Sequence, residues 1–413
     1  MKKKIVRTFL KVLKILLLPV MGGIYAQNLT LEKALILTMK SNPGLKAQEL
    51  EIESKQASVK QASLLPNPEV EVELENFGMA EGALVFSQLI ELGGKRSRRV
   101  GVAKTEKEIA KLQFEVNRLE ILSETAEKYI KLWEAQEKKK YWLESVNIAD
   151  SVLSIINHRV NEGASPAVEK IRAEVELANT KLKVRNAQRQ LKSAKITLAA
   201  MWGEEQLSFD EVESEFSTEI KDLDTNLVFE KMETCPIMLL QDALLKKQDA
   251  EVKLAKAEKF TDMEIAAGMK REGETGDNMA VLGLSIGLPI FNRNQGGIRV
   301  AELGRDISTF EKKSIRNELH AVLQELASNY STHKSEAETI KSNTLPSTEK
   351  AFEEVQKLYQ HGKTSFLDLL DIQRSLLEIR AAYFESLAQL KISRIQMEAK
   401  LGTAFEEIIK GGK

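Results

Sequence analysis

Residues with the means to do chemistry are few and scattered. Histidine occurs four times, at His158, His320, His333 and His361, with no HExxH pair and no cysteine near any of them. Zinc sites need closely spaced Cys and His ligands, so the sequence holds no structural zinc set. His158 and His361 fall in polar turns, and exposed turn residues account for them. Cys235 is alone, in a Thr-Cys-Pro turn, so no intramolecular disulfide is available; a small buried residue fits that place better than a reactive thiol. Gly93-Gly94-Lys95 lacks the spacing of a phosphate loop, and no nucleophile elbow or dinucleotide fingerprint occurs. Carboxylates are abundant, but nothing marks two of them as acid and base. These residues point to no enzyme, no cofactor and no resident metal.

One set of carboxylates is ordered. Glu69, Glu71, Glu73 and Glu75 alternate with Val70, Val72 and Leu74. A helix would spread those charges over every face, whereas a strand puts carboxylates on one side and aliphatic groups on the other. A face lined by water explains the carboxylates without bound Ca²⁺. A second alternating run, Val281–Ile290, sets Leu282, Leu284, Ile286, Leu288 and Ile290 against small residues. Pro289 stops ladder pairing there, and Asn292, Asn294, Gly296 and Gly297 supply turn chemistry before a charged helical run.

The elements that position these strands are long helices. The chain has 413 residues, 43% apolar and 29% charged, with 8 prolines, a balance rich in helix formers. Lys2, Lys3, Lys4, Arg7, Lys11 and Lys14 precede the short apolar run Ile15–Ile24, which ends at Tyr25-Ala26. That is the pattern of a cleaved secretory signal peptide over residues 1–26, too short in its apolar part to span a membrane. Its removal takes six basic and no acidic residues, shifting the balance from 60 − 61 = −1 to 54 − 61 = −7. A mildly acidic protein is a poor partner for nucleic acid. No later stretch is long and apolar enough for a membrane helix, so entry into a membrane requires a barrel.

Taken in order, Thr30 caps a helix that Asn42-Pro43 interrupts, and Pro66-Asn67-Pro68 ends the helical stretch. Strands are expected over about 68–76 and 83–91. A helix follows with no Pro or Gly between Gly101 and Gly163, its seam running through Val116, Leu122, Ala126, Tyr129 and Trp133. Sixty such residues span roughly 90 Å. Gly163 marks a turn, with Ser165 as cap and Pro166 opening the return helix, whose seam reads Val168, Ile171, Val175, Ala178 and Leu182. The second half repeats this order: Cys235-Pro236, strands over about 262–270 and 279–290, a long helix, a turn at Gly362 and a closing Gly402. Gly163 to Gly362 and Gly203 to Gly402 are both separated by 199 residues. The chain therefore reads as an internal duplication, residues 27–220 and 221–413, joined by a polar acidic linker over Glu204–Thr225.

Four strands per chain cannot close a barrel, which needs about eight; a trimer supplies about twelve, with the Glu69–Glu75 face toward a wet lumen. The alternative on these residues alone is a soluble helical protein with two ordinary hairpins.

With these motifs in place, the chain resembles the TolC-like outer-membrane efflux proteins over essentially the whole mature region. It is most similar to the outer-membrane components of cobalt–zinc–cadmium-type heavy-metal efflux systems. The resemblance rests on Gly287–Gly297, on Gln88–Arg96 and on Leu358–Leu377, where Tyr-Gln-His-Gly-Lys-Thr-Ser-Phe-Leu-Asp-Leu-Leu-Asp occurs. It implies a mainly α fold with β: a duplicated repeat, a long helical periplasmic barrel and four strands per chain in a trimeric transmembrane β-barrel. It further implies a homotrimer in the outer membrane of a Gram-negative bacterium, in contact with lipid. Partners would be a periplasmic adaptor and a proton-driven, RND-type inner-membrane transporter, with heavy-metal cations as cargo. By position, Asp368 and Asp371 would constrict the pore at the far tip, where carboxylate rings draw cations. Glu169 and Arg172 stand at the first-repeat equivalents, so the two repeats differ in charge there, and Thr364 replaces an arginine found in some relatives. The same duct for drugs or other small molecules, and a soluble periplasmic adaptor built on one helical hairpin, are the competing readings.

Overall fold

The structure, a computed structural model, describes residues 28–75, 81–205, 207–213, 221–273 and 275–404. The expected signal peptide lies outside the described residues. Helix α1 (Leu31–Ser41) begins at Thr30, whose side chain accepts from the Lys33 amide at 3.1 Å. Asn42 ends it and caps α2 (Pro43–Ala62) by accepting from Leu45 N, with Pro43 at the first helical position. After the strands β1 (Glu69–Glu75) and β2 (Glu81–Ile90) comes α3 (Lys95–Asn161), 67 residues without a break, about 100 Å long. Helix α4 (Ala167–Ala199) returns and closes in a 3₁₀ turn at Ala200–Trp202.

The second half follows with α5 (Thr225–Met232), α6 (Pro236–Ala257), β3 (Met263–Arg271), β4 (Asn278–Ile286) and α7 (Gln295–Thr339). A π-helical turn at Ile340–Thr344 leads into α8 (Leu345–Gln360), and α9 (Phe366–Leu401) completes the fold. The duplication is geometric as well as sequential. Gly163 and Gly362 take φ of 72° and 70°, and Gly203 and Gly402 take 76° and 63°. Each glycine ends a helix in the left-handed conformation that other residues avoid.

All four strands form one antiparallel sheet in the order β1-β2-β3-β4. Its register puts Val70 opposite Phe86, Leu84 opposite Met269 and Ile265 opposite Leu284, so one aliphatic face runs across every strand. Next to the sheet, α2, α3, α6 and α7 lie side by side, and toward the two turns the order is α4, α3, α9 and then α8. Three apolar clusters hold the helices. The first centres on Tyr129, Trp133 and Trp202, the second on Met232, Leu323 and Tyr330, and the third, at the turns, on Ile156, Phe352, Tyr359 and Phe366.

Three expectations change. β4 leaves the ladder at Ile286, four residues early, because its partner β3 begins at Met263, and the next carbonyl, Gly287 O, accepts instead from the Thr261 hydroxyl. The acidic linker is partly structural: Leu29 bridges Val212 in parallel, and Gln136 both donates to Val212 O and accepts from Val212 N. On α4 the buried residues are Ala173, Glu176, Leu177, Thr180, Val184, Ala187, Leu198 and Ala199. Val168, Ile171, Val175 and Leu182, read from sequence as the seam of the first half of α4, are 49–59% exposed, whereas Leu198 and Met201 at its far end are buried. Both stripes have helical spacing, and pattern alone could not say which one this chain covers itself.

Candidate functional site

The sheet separates oil from charge as its pleat dictates. Val70, Val72 and Leu74 are 58%, 62% and 72% exposed, and Leu282 and Leu284 on β4 are 86% and 70% exposed. A water-soluble protein would cover such a face; a lipid-facing one leaves it open. Glu69, Glu71 and Glu73 stand on the opposite side, facing Ser87, Val85 and Ala83 of β2, and Glu264 and Lys270 of β3 share that side. Glu75 closes the ladder against Glu81, and its side chain lies outside the described residues. Among those residues no helix is long and apolar enough to cross a membrane.

Each strand pair turns into its long helix at a corner built on a left-handed residue. Gly94 (φ 73°) occupies that place before α3 and Asn294 (φ 54°) before α7. In the first corner Asp262 Oδ1 accepts from Leu92 N at 3.1 Å and Lys95 Nζ at 2.8 Å, and Arg99 holds Glu91 while donating to Ala62 O. In the second, Thr261 donates to Gly287 O, Arg293 Nε to Pro289 O, and Asn294 Nδ2 to Ala255 O. Asn292 accepts from the Asn294 amide at 3.0 Å, which sets up the left-handed step. Pro289 lies in the corner beyond the ladder, and Gly296 and Gly297 already belong to the first turn of α7. Gly297 leaves room for the Asn294 side chain, where a Cβ would collide with its Oδ1; Gly296 faces open space. Sequence reasoning missed Asn294 as the pivot, though asparagine is the commonest non-glycine residue to accept that conformation.

The two helical turns meet at the other end of the chain. The Arg159 guanidinium donates to Tyr359 O (2.8 Å), Gln360 O, Ala164 O and Ser165 Oγ, and lies 4.9 Å from the centre of the Tyr359 ring. Ser165 therefore does not cap α4. Pro166 takes the cap position with extended backbone, and the Ser165 hydroxyl is spent on Arg159. Tyr359 donates to Glu169 Oε2 at 2.7 Å, and Arg374 pairs with the buried Glu176 at 2.8 Å. None of these links was read from sequence; those of Arg159 to Tyr359 and Gln360, of Tyr359 to Glu169 and of Arg374 to Glu176 join residues 190 to 201 positions apart.

Asp368 and Asp371 both sit exposed at the start of α9. Asp368 is the third residue of a capping box: its Oδ2 accepts from Ser365 Oγ (2.7 Å), Thr364 Oγ1 (2.8 Å) and Ser365 N, while Ser365 Oγ accepts from Asp368 N. These hydrogen bonds, that of the Ser365 side chain foremost, hold its carboxyl below the usual range. The Ser-x-x-Asp spacing was the signal for this role. Asp371 bears on Arg374 one turn further along. His158 lies 3.3 Å from Glu162, and among the described residues no group of three or more His, Cys, Asp or Glu side chains is arranged to hold a metal ion.

A two-faced sheet without a closed edge, carried on helices about 100 Å long, defines one subunit of a membrane duct. The chain belongs to the outer membrane efflux protein family, whose model matches residues 35–204 and 236–403. It is 31% identical over 388 residues to the cobalt-zinc-cadmium resistance protein CzcC of Cupriavidus metallidurans, covering 94% of this chain and 93% of that one. The nickel and cobalt resistance protein CnrC of the same organism is 23% identical over 70% of this chain and 71% of its own. Among solved structures, CusC superposes with a TM-score of 0.80 at 16% identity, covering 94% of this chain and 96% of that one. The fold is that of the TolC-like channels.

Proposed function

We propose that the protein is the outer-membrane exit duct of a tripartite, proton-driven efflux system and that its cargo is heavy-metal cations. Three copies would join β4 of one to β1 of the next, closing a twelve-strand barrel whose lumen carries the Glu69, Glu71 and Glu73 rows. The helices would continue the tunnel through the periplasm to a tip that meets an adaptor and an RND-type transporter. Asp368 and Asp371, at the exposed start of α9, would ring the narrowest point and draw cations toward it. The observation that carries the cargo is the likeness to CzcC along nearly the full length of both chains.

Deletion of the gene followed by growth on graded zinc, cobalt, cadmium and antibiotics tests this. Lost metal tolerance, restored by the intact gene, is the expected result. Unchanged metal tolerance with new drug sensitivity would replace the cargo, and a soluble periplasmic monomer on fractionation would end the duct reading.

A further inference from the structure

We infer that one side of α4 is a docking surface for the cell wall, a row of cations that takes the carboxylates of peptidoglycan stem peptides. The inference rests on the periplasmic duct proposed above and adds a partner to it.

The chain carries 60 basic and 61 acidic residues, yet residues 177–203 hold six basic side chains and no acidic one. Five of the six follow the helical repeat. Lys181, Arg185, Arg189, Lys192 and Lys195 are set at steps of four, four, three and three, which puts them on one side of α4. The buried Leu177, Thr180, Val184 and Ala187 take the side against α3. Lys181, Arg185, Arg189 and Lys192 are exposed and Lys195 is half-buried. Arg189 donates to Asn186 Oδ1, and among the described residues none of the five meets a carboxylate. The sixth, Lys183, points elsewhere, 4.7 Å from the centre of the Trp142 ring.

The fold does not require this row. Its second-half copy, residues 376–402, holds four basic and three acidic residues. There Arg380 pairs with Glu349, Arg394 with Glu398 and Lys400 with Glu120. The duplication also gives the row its direction. On the proposed constriction Asp371 faces the lumen, and Arg172 stands at its place in α4. Nine residues separate Arg172 from Lys181, about two and a half helical turns, so the row lies on the opposite side, toward the periplasm.

The row is about 21 Å long and begins about 21 Å from the start of α4. Charges one turn apart, about 6 Å, lie within the screening length of roughly 8 Å, so their fields add. Protein interfaces are built on aromatic and apolar anchors and are poor in lysine. Here the only other side chain on this side between Lys181 and Lys195 is Gln188, with the exposed Leu182 and Ile196 at the margins. A hydrated polymer bearing carboxylates needs no apolar pocket, and a duct that leaves the outer membrane for the periplasm must pass through that polymer.

The test is co-sedimentation of the full chain, purified in detergent, with peptidoglycan sacculi. Arg185→Gln with Arg189→Gln and Lys192→Gln is compared with Lys46→Gln, Lys60→Gln and Lys104→Gln, an equal loss of exposed charge from α2 and α3. The parent and the second variant should sediment alike, and the first should bind at least fivefold more weakly. Sacculi whose carboxylates have been amidated should release all three. Equal binding by the three proteins, an equal loss in both variants, or a parent that stays in the supernatant overturns the inference; an outer-membrane trimer on fractionation then leaves the duct standing. Unaltered sedimentation of the first variant with lost metal tolerance gives the row to a protein partner, and loss of its trimer by light scattering gives it to the joint between copies; either overturns the wall reading. A parent recovered as a soluble periplasmic monomer overturns the duct, and the direction of the row with it.

Discussion

Tyr359 and Glu169 tie the two helical turns of the chain together through a single hydrogen bond of 2.7 Å. The phenol comes from the end of α8, the carboxylate from the start of α4, and Arg159 covers the ring from the first turn. A hydrogen bond to a charged acceptor contributes more than a neutral one. Tyr359→Phe keeps the ring and the cation contact, so it should cost about 1–2 kcal/mol, read as a lower unfolding midpoint. Arg159→Ala removes four donations to both turns and should cost more than Tyr359→Phe, with faster amide exchange confined to residues 158–170 and 357–368. Equal costs for the two variants would place the strength of the link in the phenol alone.

Asp368 and Asp371 separate two roles that the sequence joined. Asp368→Asn keeps the size but weakens the capping box, and should lower the unfolding midpoint. Asp371→Asn leaves the cap intact and should change only the charge that cations meet. On the proposed constriction, each substitution weakens block by divalent cations in single-channel recordings, but only Asp368→Asn loosens the turn. The Asp368 carboxyl is held below its ordinary value, so the cap is present above the usual carboxylate range and is lost as pH falls through the lowered pKa. Cation block should accordingly persist into mild acid and fade below it. Block that disappears near an ordinary carboxylate pKa would argue that Asp368 is not the group cations sense.

Elements governed by local rules were legible from sequence: the alternating strands, the Thr30 cap, the break at Asn42-Pro43, the unbroken α3 and the 199-residue duplication. What escaped depends on contacts that spacing along a single element does not give. Ser165 reads as a cap until Arg159 reaches it, and the α4 seam at Ile171 reads as core until α3 is seen to cover the opposite stripe. The linker at Val212 reads as free until Leu29 pairs with it. Asp368 is the reverse case, its cap role written locally in the Ser-x-x-Asp box.

Gly93 and Gly94 offer a matched pair. Both are left-handed, at φ 68° and 73°, so alanine at either costs roughly 1 kcal/mol in backbone strain. A Cβ on Gly93 would also lie 2.6 Å from Phe260 and 2.8 Å from Ala257 O, whereas one on Gly94 meets nothing. Gly93→Ala should therefore displace the corner where β2 turns into α3 and lower the yield of outer-membrane protein. Gly94→Ala should assemble nearly as the parent does. Equal yields would mean that the corner can shift to absorb the contact.

Lys391 on α9 makes the clearest pH prediction. Burial, aided by repulsion from Arg394, lowers its pKa to about 8 from an ordinary 10.5. Below pH 8 the ammonium is charged in both the folded and unfolded chain, and burial makes that charged form less favourable in the folded state. Between pH 8 and 10.5 the folded chain gives up the proton while the unfolded chain keeps it, so stability rises with pH across that window. Lys391→Met keeps the apolar stem and removes the charge. It should stabilise the protein at pH 7 by on the order of 2 kcal/mol, since each unit of pKa difference is worth about 1.4 kcal/mol before water penetration reduces it. Thermal unfolding followed by helical circular dichroism at pH 7 and pH 10 reads both states. The midpoint of Lys391→Met should exceed that of the parent at pH 7 and approach it at pH 10. A difference that stays constant with pH would assign the gain to packing and not to the buried charge.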